Sequence, residues 1–221
     1  DVASSRGLGD VYKRQAQGIA YASRELGTSA KIVMPSDAPK IKIRKTQEYG
    51  AEVIFYDRDK DNREEIGFSI AKEEGRKLIK PFDDLNVIYG QGTAALEVMN
   101  EVDTKFDMSV VCCSGGGLAA GTGIVLKNSL SDCQLYTAEP KDWNDHEKSF
   151  LQNNIVSIKT KKHGMCDALE NPQPGEITFR INSALNTKGL SADDKYIIEA
   201  MKIIYDEFDL IVEPSGAIGL A

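Results

Sequence analysis

The chain has 221 residues, 41% hydrophobic and 28% charged, which is enough apolar content for a folded core and leaves room for one large or two small domains. Asp and Glu (34) outnumber Lys and Arg (27), and the formal charge of -7 argues against a general binder of nucleic-acid backbone. Apolar runs such as Val110-Val111-Cys112-Cys113 and Leu210-Ile211-Val212 are far shorter than a bilayer span and no apolar signal region opens the chain, so a cytoplasmic protein with no membrane partner is expected.

Residues 1–15 carry no helix or strand period that leads into Ala16-Gln17-Gly18, and this segment is expected to be a leader foreign to the native fold. Arg14 to Leu26 reads as helix, with Ile19, Ala22 and Leu26 on one face and Gly27 as its stop. Lys31 to Met34 is a strand ended by Pro35; Ser36 or Asp37 then caps a helix with Pro39 in its first turn, closed by Gly50. Strand Glu52 to Tyr56, helix Asn62 to Glu74 stopped by Gly75, and strand Lys77 to Ile79 follow. Such alternation predicts parallel sheets with helices on their faces.

Lys80-Pro81-Phe82-Asp83-Asp84 is the expected crossing between two subdomains. Beyond it, Gly92 to Val102 reads as helix, Met108 to Cys113 as a buried strand, Leu118 to Leu130 as helix and Gln134 to Ala138 as strand. Residues 153–192 are rich in Pro, Gly, Asn and Lys and give no clear period, whereas Asp193 to Phe208 is a periodic helix. The cysteines at 112, 113, 133 and 166 form neither a paired zinc spacing nor a disulfide framework, so buried reduced thiols are expected. His146 and His163 are too few and too isolated for a histidine-rich metal site, and neither is expected to be catalytic.

The sharpest local signal is Ser114-Gly115-Gly116-Gly117-Leu118, after an apolar strand and before a helix. Glycines there let backbone approach a ligand, and the helix start offers unpaired N–H donors to a phosphate; a tight turn without a ligand is the bland alternative. Gly115-x-Gly117-x-x-Ala120 also satisfies the dinucleotide fingerprint, with Glu139, 24 positions after Gly115, near where a ribose-binding acid would sit. A Rossmann-type nucleotide-binding module is therefore a rival reading.

Two further segments have no role in that fingerprint: Glu139-Pro140-Lys141-Asp142-Trp143-Asn144-Asp145 and Val212-Glu213-Pro214-Ser215-Gly216-Ala217. They join Ala16-Gln17-Gly18, Ile32-Val33-Met34-Pro35 followed by Asp37-Ala38-Pro39-Lys40, Tyr49-Gly50-Ala51-Glu52-Val53, Pro81-Phe82-Asp83-Asp84, Gly90-Gln91-Gly92-Thr93, Cys166-Asp167-Ala168-Leu169 and Pro174-Gly175-Glu176-Ile177-Thr178-Phe179. Together these resemble the fold-type II pyridoxal-phosphate enzymes, in the branch holding threonine ammonia-lyase (threonine/serine dehydratase) and serine racemase.

The resemblance implies an α/β chain of two three-layer subdomains with mostly parallel sheets, 16–87 small and 88–221 part of a large cofactor-binding one. It implies pyridoxal 5'-phosphate as cofactor, held by the loop Ser114, Gly115, Gly116, Gly117 and Leu118, with Glu213 beside its ring. It also implies a cation site of Glu139, the Trp143 carbonyl and Asp145, whose hard oxygens suit Mg or Ca. An acidic turn with Asp145 as helix cap, and a plain turn with Ser215 as cap, are the bland alternatives. The implied reaction takes L-threonine or L-serine, small hydroxy amino acids, to a 2-oxo acid and ammonia, with serine racemase as the alternative on the same scaffold and a homodimer as the complete form.

The departures are as informative. The family's Ser-Ser-Gly-Asn-His run is replaced by Val11-Tyr12-Lys13-Arg14-Gln15, and its Schiff-base lysine, in a Ser-x-Lys-x-Arg-Gly-Ala context, has no counterpart; Lys13 has the wrong neighbours and Ser4-Ser5 sits too far upstream. The partner of the pyridine nitrogen normally follows the Glu-Pro-Ser-Gly-Ala stretch, and this sequence stops at Ala221. The expectation is a fragment, truncated at both ends and without catalytic activity of its own.

Overall fold

The computed structural model describes residues 7–10, 14–57, 60–160 and 163–221. The chain divides into two compact units, Asp1–Pro81 and Phe82–Ala221. The join lies inside the Lys80–Asp84 turn, a few residues upstream of the 87/88 boundary expected. Among the described residues no helix is long and apolar enough to cross a membrane.

The first unit holds β1 (Gly7–Asp10), α1 (Arg14–Glu25), β2 (Ala30–Pro35), α2 (Lys40–Glu48), β3 (Glu52–Tyr56), α3 (Arg63–Glu74) and β4 (Lys77–Ile79). Its strands form one parallel sheet in the order β3-β2-β1-β4. Ile32, Val33 and Met34 are all essentially inaccessible, so β2 needs cover on both faces. Ile32 and Met34 pack with Ala16, Ala20 and Ile43 of α1 and α2, whereas Val33 turns the other way, to Tyr56 and to Ile66 and Ile70 of α3. Full burial of one such side chain is worth about 1.5–3 kcal/mol, so this three-layer sandwich is anchored on its second strand.

Gly27, Gly50 and Gly75 end the helices with φ of +64°, +86° and +63°, as the glycine stops predict. Two local expectations change. Pro39 itself is the N-cap of α2 and no side chain caps that helix. The segment 1–15, read as having neither helix nor strand, contributes β1, which pairs in parallel with β2 from Gly7↔Ala30 to Asp10↔Val33 and with β4 from Gly7↔Lys77 to Gly9↔Ile79. A four-residue strand is too short for a period to register, and its pairing runs through backbone groups. The rest of that segment up to residue 13, including Ser4-Ser5 and Lys13, lies outside the described residues.

The second unit holds α4 (Leu85–Glu101), β5 (Met108–Cys112), α5 (Gly117–Ser129), β6 (Gln134–Pro140), α6 (Asp145–Gln152), α7 (Glu176–Ala184), β7 (Lys188–Ala192), α8 (Asp194–Phe208) and α9 (Pro214–Ala217). The three strands form a parallel sheet, β5-β6-β7. Val111 and Cys113 face Leu126 of α5 and Met99 of α4, while Val110 and Cys112 face Ile197 of α8 and Ile218, again giving three layers. α4 starts seven residues before the expected Gly92, because Asp84 Oδ1 accepts from Asn86 N (2.8 Å) and Val87 N (3.3 Å). Gly92 serves packing: a Cβ there would lie 2.9 Å from Gly121 O of α5, and a Cβ on Gly121 would lie 2.6 Å from Gly92 N and 2.4 Å from Ile88 O.

Candidate functional site

The glycine loop sits at the C-terminal end of β5, where parallel sheets place their ligand sites. Its carbonyls are tied down. Gly115 O accepts from Thr178 Oγ1 (2.7 Å) and Gly175 N (3.3 Å), and Gly116 O accepts from Ala120 N (2.9 Å) and Asn182 Nδ2 (3.2 Å). Thr178 and Asn182 are fully buried one turn apart on α7. The start of α7 is fixed in turn by Asp83, whose Oδ1 accepts from Ile177 N (2.8 Å) and Thr178 N (3.2 Å).

With the carbonyls held on one side, the amide N–H groups of Gly115, Gly116, Gly117 and Leu118 donate to no acceptor among the described residues. They open a thirteen-residue helix, so its positive dipole end adds to them. Gly116 has φ +89°, and a Cβ there would fall 2.5 Å from His146 Nε2. This row of donors fits a phosphate group, which supplies several acceptor oxygens at once.

Behind the loop lies a polar cluster with no water access: Glu139, Asp145 and His146 are each 0% exposed, and Cys113 2%. Glu139, next to last in β6, caps α6 from outside it, its Oε1 accepting from His146 N (3.0 Å) and its Oε2 from Glu147 N (2.9 Å). His146 Nδ1 lies 3.3 Å from Glu139 Oε1 and 3.2 Å from Asp145 Oδ2, so the ring joins both carboxylates. Apart from that ion pair, both Asp145 oxygens and His146 Nε2 make no hydrogen bond of regular geometry among the described residues. Burial pushes the Asp145 carboxyl up to about 6 and the Cys113 thiol up to about 11. Burial opposes charge on His146, but Cys113 and the two carboxylates outweigh it and hold the imidazolium well above its ordinary range.

The expected residues are thus distributed as follows. Ser114 to Leu118 form one continuous loop, and Glu139 and Asp145 meet at His146. Trp143 is buried in the single 3-10 turn Lys141–Trp143 just before α6. Glu213 is exposed at the start of α9. Neither cap alternative holds: Asp145 is the first residue of α6, capped instead by Glu139, and Ser215 lies inside α9, where its Oγ accepts from Ala168 N (3.3 Å). The Rossmann rival loses its ribose-binding acid, because both Glu139 oxygens accept from backbone amides at the start of α6.

Sequence reasoning placed Phe82, Asp83 and Thr178 only within segments of the resemblance, without a role at the loop, and did not single out Asn182; all four shape the loop from far away in the chain. It also set aside Cys113 and His146. The adjacency of Cys113 to the loop, and of His146 to Asp145, was the only local signal for that pair.

The family model for pyridoxal-phosphate dependent enzymes matches residues 15–221. A serine racemase of Schizosaccharomyces pombe is 38% identical over 206 residues, covering 93% of this chain and 63% of that protein. An L-threo-3-hydroxyaspartate ammonia-lyase of Pseudomonas sp is 40% identical, with 93% and 64% covered. The chain therefore spans a little under two thirds of the length of these relatives. Among solved structures, maize serine racemase superposes with a TM-score of 0.92 at 31% identity, covering 100% of this chain and 66% of that one. The threonine deaminase of T.th. gives 0.88 at 30% identity, covering 98% and 70%. The parallel α/β architecture is that of the fold-type II enzymes, and the chain belongs to the pyridoxal-phosphate dependent enzyme family.

Proposed function

We propose that the chain belongs to an ammonia-lyase that takes L-threonine or L-serine to a 2-oxo acid and ammonia with pyridoxal phosphate as cofactor. The observation that carries this reading is the row of four successive amide donors, Gly115 to Leu118, at the start of α5. When bound, the cofactor supplies an electron sink that makes the substrate's α-hydrogen acidic and lets the β-hydroxyl depart. The chain's own part is placement. Ser114 to Leu118 hold the phosphate, Thr178 and Asn182 keep the loop carbonyls turned away from it, and Glu213 belongs beside the ring. Asp145, fully buried and paired only with His146 among the described residues, fits a hard cation shared with Glu139 and the Trp143 carbonyl. A homodimer goes with this reading and is read by light scattering.

Adding pyridoxal phosphate to the protein should produce a protein-bound visible absorbance, and nicotinamide cofactors should not bind. Gly116→Leu should remove the absorbance while leaving the far-ultraviolet circular dichroism intact. Unchanged binding in that variant would sink the phosphate assignment. Calorimetric titration with Mg or Ca after chelation should give binding that Asp145→Ala removes. For the reaction, L-threonine and L-serine are assayed for 2-oxo acid by a coupled reductase, with serine enantiomers resolved by chiral chromatography. Abundant D-serine with little oxo acid turns the reading to a racemase, which the names of the Schizosaccharomyces pombe and maize relatives favour.

A further inference from the structure

The geometry points to a metal site of a different class within the buried cluster: a tetrahedral d-block ion, zinc being the best match, held by Cys113, Glu139 and His146. One donor atom from each of these residues lies within 4.8 Å of the others, and all three residues are buried. In a tetrahedral zinc site, bonds of about 2.0–2.3 Å put neighbouring donors about 3.3–3.8 Å apart, so a modest contraction closes the set. Glu139 and His146 already stand 3.3 Å apart. The fourth position has a candidate on the same side, since Asp145 Oδ2 lies 3.2 Å from His146 Nδ1.

Three features favour a soft, nitrogen- and sulfur-binding ion over Mg or Ca. The set contains a thiol and an imidazole, which hard cations bind poorly. His146 Nδ1 faces Glu139 Oε1 at 3.3 Å and Asp145 Oδ2 at 3.2 Å, so the ring nitrogen that such an ion would take already points into the set. The cluster is also preset: Glu139 is oriented by two backbone amides, the outer-shell support that metal-binding carboxylates use. Binding balances simply. The ion displaces two protons to the buffer, one from Cys113 Sγ and one from the His146 imidazolium, and forms a metal–sulfur and a metal–nitrogen bond, while the carboxylates donate lone pairs.

This inference does not depend on the cofactor, but it draws on Glu139 and Asp145, which the hard-cation reading also uses, so the two ions compete there and the Cys113 sulfur tells them apart: a metal–sulfur bond supports this site and an oxygen-only shell the other. The test is to strip the protein with a chelator and titrate it with Co(II) and then Zn(II), without pyridoxal phosphate. Wild type should show a thiolate-to-cobalt charge-transfer band and the visible bands of tetrahedral cobalt, both displaced by zinc. Cys113→Ser should abolish the charge-transfer band. His146→Gln should weaken zinc binding by more than the roughly 10–100-fold that loss of an outer-shell partner brings. X-ray absorption on zinc-loaded wild type should find one sulfur neighbour at about 2.3 Å, a readout that needs no variant to fold. Absence of the cobalt band, a band that survives Cys113→Ser, or an oxygen-only shell around zinc would each overturn the assignment.

Discussion

The ring of Phe82 lies directly against Gly115: a β-carbon at position 115 would fall 2.2 Å from two of its ring atoms. Gly115 does not have the positive φ of Gly116, so here packing, not backbone conformation, demands glycine. Gly115→Ala should therefore cost about 1–3 kcal/mol in urea unfolding, as overpacking does, and weaken pyridoxal-phosphate binding by moving the donor row. Removing the ring as well, in Phe82→Ala with Gly115→Ala, should recover part of the loss. Strict additivity of the two changes in a double-mutant cycle would show that the ring is not the obstacle.

A similar reach explains Asp83. Its carboxylate caps a helix 94 positions downstream, and that helix carries Thr178, whose hydroxyl holds the Gly115 carbonyl. Asp83→Ala should lower stability by about 0.5–2 kcal/mol and weaken cofactor binding together, while Asp83→Asn, which keeps an acceptor oxygen, should restore most of both. Equal losses in the two variants, measured by urea unfolding and cofactor titration, would mean that charge and not the cap is what matters.

These contacts mark where sequence reading runs out. The helix stops at Gly27, Gly50 and Gly75 were legible because a left-handed backbone names its residue locally. The glycine loop was legible for the same reason, being a run whose chemistry is backbone chemistry. Phe82, Asp83, Thr178 and Asn182 act across 33 to 95 positions, and no period or spacing encodes such a distance. The start of α4 was hidden because Gly90 and Gly92 lower its local propensity, although Gly92 is what lets α5 approach. Cys113 and His146 were invisible in a different way: 33 residues apart, they share no spacing, and only the pairing of β5 with β6 brings them under one loop.

In the first unit, Glu74 offers a pH test. Lys31 Nζ (2.6 Å) and Arg76 Nε (2.7 Å) donate to its two oxygens, and these bonds hold its carboxyl below the ordinary value of 4.5. With the folded pKa depressed, the unfolded chain binds the proton more readily, so stability rises with pH through this window. The contribution is present in full above 4.5 and is lost as pH falls through the folded pKa. Glu74→Gln should lower Tm at pH 7, and the gap to wild type should close in acid. A gap of constant size from pH 7 to pH 3 would mean that the pair contributes through shape alone.

At β1 the reading from sequence and the structure part most widely. As a leader foreign to the fold, residues 1–15 could be removed without effect. As an interior strand, Gly7–Asp10 supplies four register pairs to β2 and three to β4, and without it neither of those strands has its partner on that side. Each backbone hydrogen bond is worth only about 0.5–1.5 kcal/mol net, but unpaired groups left facing a sheet interior cost more than a bond gained. Deleting residues 1–10 should therefore lower Tm by at least roughly 5 °C, given about 2–4 °C per kcal/mol for a chain of this size. Gly9→Pro, which removes a single amide donor from the middle of the sheet, should move Tm in the same direction by a smaller amount. Differential scanning calorimetry on both variants decides it: an unshifted Tm in each would return the segment to a leader, and a loss graded between them would make it part of the sheet.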